Sequence, residues 1–448
     1  MVLKTAILLI ALVAAPLAAQ ETALDRYVRE EDATHQWRVA GSVQGSGYTT
    51  DVLEVTSQRW LTEAEVDKPV WKHWVVITRP AEVKHRTAVL FIDGGDNTDA
   101  APGSGNPLLR TLALETKAVL VEVKGVPNQP LKFAGDTKAG RSEDAVIAFS
   151  WKRYLETGDE RWPARLPMTK AVVRAMDAVQ AHCATAQGGS LNIVNFIAAG
   201  GSKRGWTTWS AAAVDARVVA IIPIVFDALN IEKSFPHHKN SYGTWSGALQ
   251  DYVDEGLESW FGTESFGKLL EIEDPFLYRE RMGLPKFVVN ASGDEFFLPD
   301  SSRFYWNDLP GEKYLRYVPN SRHSISQEAA LDIFAWVDAF LNGRPRPRFY
   351  WRLDRASGET VLHALDKPSE VRLWSAVNEN ARDFRVDTVG PEAWASRRIE
   401  GVNGIYRVKP DPPAAGYAAY FLELTFDSGG AFPFRFTTEV AVTPDTLP

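Results

Sequence analysis

The sequence predicts a mixed α/β protein with a mainly parallel sheet, opened by two antiparallel strands and followed by an all-β, sandwich-like region. Three observations carry this. Short apolar runs such as Val89-Leu90-Phe91-Ile92 alternate with stretches of helical periodicity, the pattern of parallel strands buried on both faces. Residues 50–56 and 72–78 instead alternate apolar and polar, as an antiparallel pair with one wet face would. Past Asn342-Gly343-Arg344-Pro345-Arg346-Pro347 the helical periodicity stops, and short alternating runs with Gly and Pro turns replace it.

The elements follow in order. Residues 1–19 combine a cation at Lys4, an apolar stretch and small residues at Ala18 and Ala19, which predicts a signal peptide and a mature protein in the periplasm or secreted. The stretch is shorter than the roughly 20 residues of a membrane-spanning helix, and no later segment is long and apolar enough to span. Residues 20–345 form the α/β domain. Within it, strands at 87–93 and 118–123 flank a helix at 108–115, and helices near 143–156 and 169–184 lead to strands at 191–198 and 218–225. Strands at 286–291 and 314–318 and a helix at 326–341 complete it. The connection between 225 and 286 is about 60 residues, too long for a simple loop in a compact domain, so residues 227–285 are expected to form a helical cap. Residues 346–448 are the β-sandwich-like domain.

Composition excludes some classes. The 448 residues carry a formal charge of -8 and no Lys/Arg run, so there is no nucleic-acid footprint. One cysteine, Cys183, rules out an internal disulfide, and its place on the apolar face of a helix marks a small buried hydrophobe. Adjacent His237 and His238 cannot act as an i, i+4 zinc pair, and no His-Glu-x-x-His occurs. Gly200-Gly201-Ser202-Lys203 lacks the Gly-Lys-Ser/Thr of a phosphate loop. No metal or cofactor is expected.

The chemistry is concentrated in Phe196-Ile197-Ala198-Ala199-Gly200-Gly201-Ser202-Lys203-Arg204-Gly205-Trp206, which runs from a buried strand into a helix. This is the layout of a nucleophile elbow. A serine at so sharp a turn needs unbulky residues just before and after it, because strand and helix backbones nearly touch. Gly200 and Gly205 meet that need, while Arg204 stands where glycine is commonest.

A serine hydroxyl needs a base, and the base needs a carboxylate to fix its tautomer. His323 follows the last strand and precedes the last helix, where an α/β-hydrolase presents its base. The loop after the preceding strand offers Asp294, Glu295 and Asp300; Asp294 comes first after the glycine turn and is preferred, with Asp300 as the alternative. The order Ser, Asp, His is that of α/β-hydrolases. Backbone donors for the oxyanion are expected at Lys203 and at Gly95, in the Asp93-Gly94-Gly95-Asp96 loop. Arg204, Trp206 and the cap residue His238 are candidate substrate contacts.

Four segments, Thr22-Ala23-Leu24-Asp25-Arg26-Tyr27-Val28, Arg165-Leu166-Pro167-Met168-Thr169-Lys170-Ala171, the elbow, and Gly293-Asp294-Glu295-Phe296-Phe297, give a further expectation. Together they resemble the PhoPQ-activated pathogenicity-related protein family across nearly the whole mature chain. The resemblance implies an α/β-hydrolase exported by bacteria, without a settled substrate. A more distant comparison is with glucuronoyl esterases, whose similar elbow, Gly-Cys-Ser-Arg-x-Gly-Lys, ends in a Lys that holds the sugar acid. Trp206 stands at that position here, leaving Lys203 and Arg204 as the cations available to an anionic substrate. The sequence thus points to a serine hydrolase cleaving an ester or amide, ester being favoured, of a small molecule, peptide or carbohydrate. The alternative is a non-catalytic envelope or adhesion protein on the same scaffold.

Overall fold

A computed structural model describes residues 21–411 and 413–448, so the expected signal peptide at 1–19 lies outside the described residues. Helix α1 (Ala23–Arg29) starts with Thr22 and Asp25 capping each other reciprocally. Three antiparallel strands follow: β1 (Gln36–Gly45), β2 (Tyr48–Arg59) and β3 (Val70–Pro80). The last two are the expected opening pair. The first is an edge strand with no fully buried residue, so it carries no strong apolar alternation to read.

The alternating part runs β4 (Thr87–Ile92), α2 (Pro107–Thr116), β5 (Leu120–Lys124), α3 (Asp144–Thr157), α4 (Arg165–Ala184), β6 (Asn195–Gly201), α5 (Lys203–Val214) and β7 (Val218–Ile224). Between β7 and the next strand lie α6 (Ile231–Tyr242), α7 (Gln250–Asp254) and α8 (Glu264–Glu273), joined by 3-10 turns. Then come β8 (Lys286–Ala291), β9 (Lys313–Val318) and α9 (Gln327–Leu341). The strands form one sheet in the order β1-β2-β3-β5-β4-β6-β7-β8-β9, parallel from β5 across to β9.

Alternation along each strand divides the core in two. Leu90, Ala198 and Ile221 pack with α3, α4 and α5, whereas Val89, Ala199 and Ile222 pack with α2 and α9. Cys183 is buried in α4, and burial pushes its thiol up to about 11. No helix among the described residues is long and apolar enough to cross a membrane.

The C-terminal region holds β10 (Phe349–Asp354), β11 (Glu359–Ala364), β12 (Glu370–Asn378), α10 (Val386–Val389), β13 (Ala395–Arg398), β14 (Ile405–Val408), β15 (Tyr417–Phe426), β16 (Phe434–Thr437) and β17 (Ala441–Thr443). They make two antiparallel sheets, β10-β11-β14 and β13-β12-β15-β16 with β17 on β15. This region does not stand apart. Leu422 and Phe436 share one apolar cluster with Phe287 and Trp336, and the Tyr317 amide donates to Thr437 Oγ1 at 2.9 Å. Buried Arg316 joins Asp332 of α9 at 3.1 Å to Glu423 of β15.

Candidate active site

Ser202 sits between the end of β6 and the start of α5, with φ 57 and ψ -129. A positive φ is costly for a residue with a side chain and persists only where surrounding structure enforces it. Here the amide of Ser202 donates to Ile224 O of β7 at 2.8 Å, and its carbonyl accepts from Trp206 N at 2.9 Å. The two glycines make the turn possible. A Cβ on Gly200 would lie 2.7 Å from Arg204 O, and one on Gly205 would lie 2.9 Å from both Gly200 O and Ile224 O. Gly205 therefore performs the close approach, which frees the position of Arg204 for a long side chain. Gly205→Ala is expected to lower stability by about 1–3 kcal/mol through overpacking against backbone, read as a fall in the urea midpoint at constant m. An unchanged midpoint would mean the contact relaxes.

Strand ends bring the other groups to this serine. His323, in the loop after β9, places Nε2 2.7 Å from Ser202 Oγ. Its Nδ1 lies 2.8 Å from Asp294 Oδ2 and 3.0 Å from Oδ1. Asp294, just past β8, also accepts from the Phe296 amide through Oδ1 at 2.7 Å. Burial raises its carboxyl above the ordinary range, and His323 opposes that rise. The Phe296 ring packs on the imidazole with centroids 4.3 Å apart, and Glu295 accepts from the His323 amide at 2.9 Å. Asp300, the alternative acid, lies elsewhere: it contacts His237 at 3.2 Å, Arg303 at 3.1 Å and Arg382 at 2.6 Å.

The Lys203 amide is the first N–H of α5 and has no acceptor within its helix. Gly95 takes φ 141 in the loop leaving β4, whose last residue, Ile92, registers with Gly200 of the elbow strand. The side chains of Lys203 and Arg204 face one acid that sequence reasoning missed. Lys203 Nζ lies 2.8 Å from Glu143 and 3.0 Å from Asp144. Arg204 makes a bidentate pair with Glu143 at 2.7 and 2.6 Å and donates to Val126 O at 2.7 Å. Burial works against ionising Glu143, yet these two cations hold its carboxyl at about 2. Glu143 shares the strained backbone of Ser202, with φ 56 and ψ -129. Both cations thus brace the elbow and are already neutralised, which removes them as receptors for an anionic substrate.

Trp206 lies beside Ser202. Its ring stacks on Phe226 at 4.8 Å and lies under the Arg165 guanidinium at 4.0 Å. Arg165, also missed, is wholly buried and donates to Lys203 O at 3.1 Å and Thr207 Oγ1 at 2.6 Å, tying α4 to the elbow helix. His238 is buried in α6, stacked on Trp245 at 5.6 Å and accepting from the Ser246 amide at 3.2 Å. Between the elbow and the helices after β7, the space lined by Ser202, Trp206, Phe226, Phe235 and Phe297 is about 20 Å³. No cluster of three metal-ligating side chains occurs among the described residues.

A profile described as PhoPQ-activated pathogenicity-related protein matches residues 24–385. Over an alignment 471 positions long, the chain is 39% identical to autocrine proliferation repressor protein A of Dictyostelium discoideum, covering 99% of this chain and 94% of that protein. Of solved structures, an acetyl xylan esterase from a Paenibacillus species is 13% identical with a TM-score of 0.50, over 70% of this chain and 92% of its own. An acetyl xylan esterase from a Thermoanaerobacterium species is 15% identical with a TM-score of 0.48, over 71% and 92%. The fold is that of the α/β-hydrolases, as expected from the sequence.

Proposed function

The chain belongs to the PhoPQ-activated pathogenicity-related protein family, and from that premise we propose that it is an exported serine hydrolase of carboxylic esters. One observation carries the reading: a strained serine 2.7 Å from a histidine that is itself 2.8 Å from a buried carboxylate. Those are the hydrogen-bonding distances that nucleophile, base and orienting acid require.

Ser202 Oγ attacks the ester carbonyl as His323 Nε2 removes its proton. The resulting imidazolium keeps its Nδ1 proton and is stabilised by the hydrogen bond from it to the Asp294 carboxylate. The amide of Lys203 and one from the Gly94-Gly95 loop receive the oxyanion, each worth about 2.7–4 kcal/mol of transition-state stabilisation. His323 then protonates the departing alcohol, leaving an acyl-enzyme. Water, deprotonated by His323, attacks that acyl group, and Ser202 leaves with the proton. Ester is favoured over peptide because the helices between β7 and β8 close over Ser202, leaving pockets where an extended peptide would need an open groove.

The Dictyostelium relative is named for repression of proliferation, so the test must separate a catalytic from a non-catalytic role. An ethyl fluorophosphonate probe is expected to label the folded protein once, on the Ser202 peptide, with labelling abolished in Ser202→Ala. Folded protein that resists the probe would sink the catalytic reading.

A further inference from the structure

Beneath the serine, on the sheet face away from α5, a cavity of about 350 Å³ opens at Ser202 and His323. Its floor is Val89, Ala199 and Ile222 of the parallel strands, and its roof is Leu112, Ile333 and Val337 of α2 and α9. Polarity is graded along it. The polar lining residues, Asn106, Ser202, His323 and Ser324, all belong to the strand-end side where α2 and α9 begin. The deeper walls are hydrocarbon: Val337 lies about 15 Å along α9 from its start, at about 1.5 Å rise per residue.

A void of this size is more than twice the roughly 150 Å³ of an apolar cavity that stays dry and takes up small hydrocarbons. The pocket on the opposite side of Ser202, at about 20 Å³, has no room for an acyl chain. We propose that the larger cavity is an acyl-chain site, and that the protein hydrolyses esters of medium-length linear fatty acids. This deepens the serine-esterase reading and rests on it. The fatty acyl carbonyl sits at Ser202 Oγ with its tail running down between sheet and helices. As the Oγ–C bond forms and the C–O bond to the alcohol breaks, the serine proton passes through His323 to the alcohol. Water then releases the fatty acid and restores the serine.

The test is the chain-length profile of p-nitrophenyl acetate, butyrate and octanoate for the wild type, Ala199→Leu and Val337→Phe. Wild-type kcat/KM is expected to rise about fourfold per methylene, about 250-fold over the four methylenes from butyrate to octanoate. Each cavity-filling variant is expected to cut the octanoate-to-butyrate ratio at least tenfold. A flat or falling wild-type profile overturns the acyl site whether or not either variant folds. If Ser202 still takes ethyl fluorophosphonate in that case, the esterase reading survives alone. No turnover of any ester together with no labelling removes both.

Discussion

Asp294→Asn is expected to lower kcat for ester hydrolysis by about ten-thousand-fold, with KM and stability close to the wild type. The two side chains have nearly the same shape, so the loss comes from one proton. A carboxylate only accepts, and at 2.8 Å it fixes the imidazole proton on His323 Nδ1, leaving the Nε2 lone pair for Ser202. In the amide, one end must donate. Asp294 Oδ1 already accepts from the Phe296 amide at 2.7 Å, and Phe297 N approaches the same oxygen at 3.4 Å. These bonds would hold the asparagine carbonyl in place and turn its NH2 toward Nδ1. The imidazole must then carry its proton on Nε2, where it cannot act as a base. Steady-state kinetics on a p-nitrophenyl ester, with thermal unfolding as the fold control, checks this. A loss below tenfold would show that Asp294 does not set the tautomer.

The parts of the site that the sequence discloses are those tied to local order along the chain. Ser202, Asp294 and His323 each stand in the turn or loop that leaves a buried strand, and parallel strands bring their ends to one edge of the sheet, so reading the strands reads the cluster. The glycines are legible for the same reason, since a sharp strand-to-helix turn is a local event. Glu143 and Arg165 are not, because nothing near them in sequence says they meet the elbow; their partners are 61 and 42 residues away. This is also why Lys203 and Arg204 look like free cations in the sequence. A charge at a helix start is identical on paper whether it faces solvent or an acid from another helix. The break in periodicity after α9 is equally plain, while the apolar cluster shared across that break depends on which face each strand turns inward. Strand β1 escapes because its inward face is only half-buried, with Trp37 and Val39 on the core and Val43 exposed beyond them, so the apolar alternation is too short to read.

Arg382→Met is expected to destabilise the protein by about 3 kcal/mol, the cost of leaving a buried charge without its main partner. Arg382 lies between β12 and α10 in the C-terminal region, 1% exposed, and its guanidinium is 2.6 Å from Asp300, which is 0% exposed. It also donates to Ser241 of α6 at 3.2 Å. Four residues on, the Val386 amide donates to Gly293 O at 3.1 Å, and Arg385 donates to Ser246 Oγ at 3.2 Å. This segment thus grips both sides of the loop that carries Asp294. Burial opposes ionisation of Asp300, yet Arg382 and His237 hold its carboxyl well below the usual carboxylate range. Such a depressed group contributes stability that is full above its unfolded value of about 3.9 and is lost as pH falls through the folded one. The gap in unfolding free energy between wild type and Arg382→Met should therefore narrow in acid. Adding Asp300→Leu to Arg382→Met should recover part of the stability, because the buried carboxylate, left with only His237 and Arg303, goes with its main partner, while Arg303 keeps Asp445 at 2.7 Å. Urea unfolding of the two single variants and the double variant decides it. A double variant less stable than Arg382→Met would show that Asp300 is held by other contacts. The same bonds imply that a chain ending after α9 would expose Asp300 and unpin the Asp294 loop, so removing the β-rich region is expected to abolish ester hydrolysis as well as to lower stability.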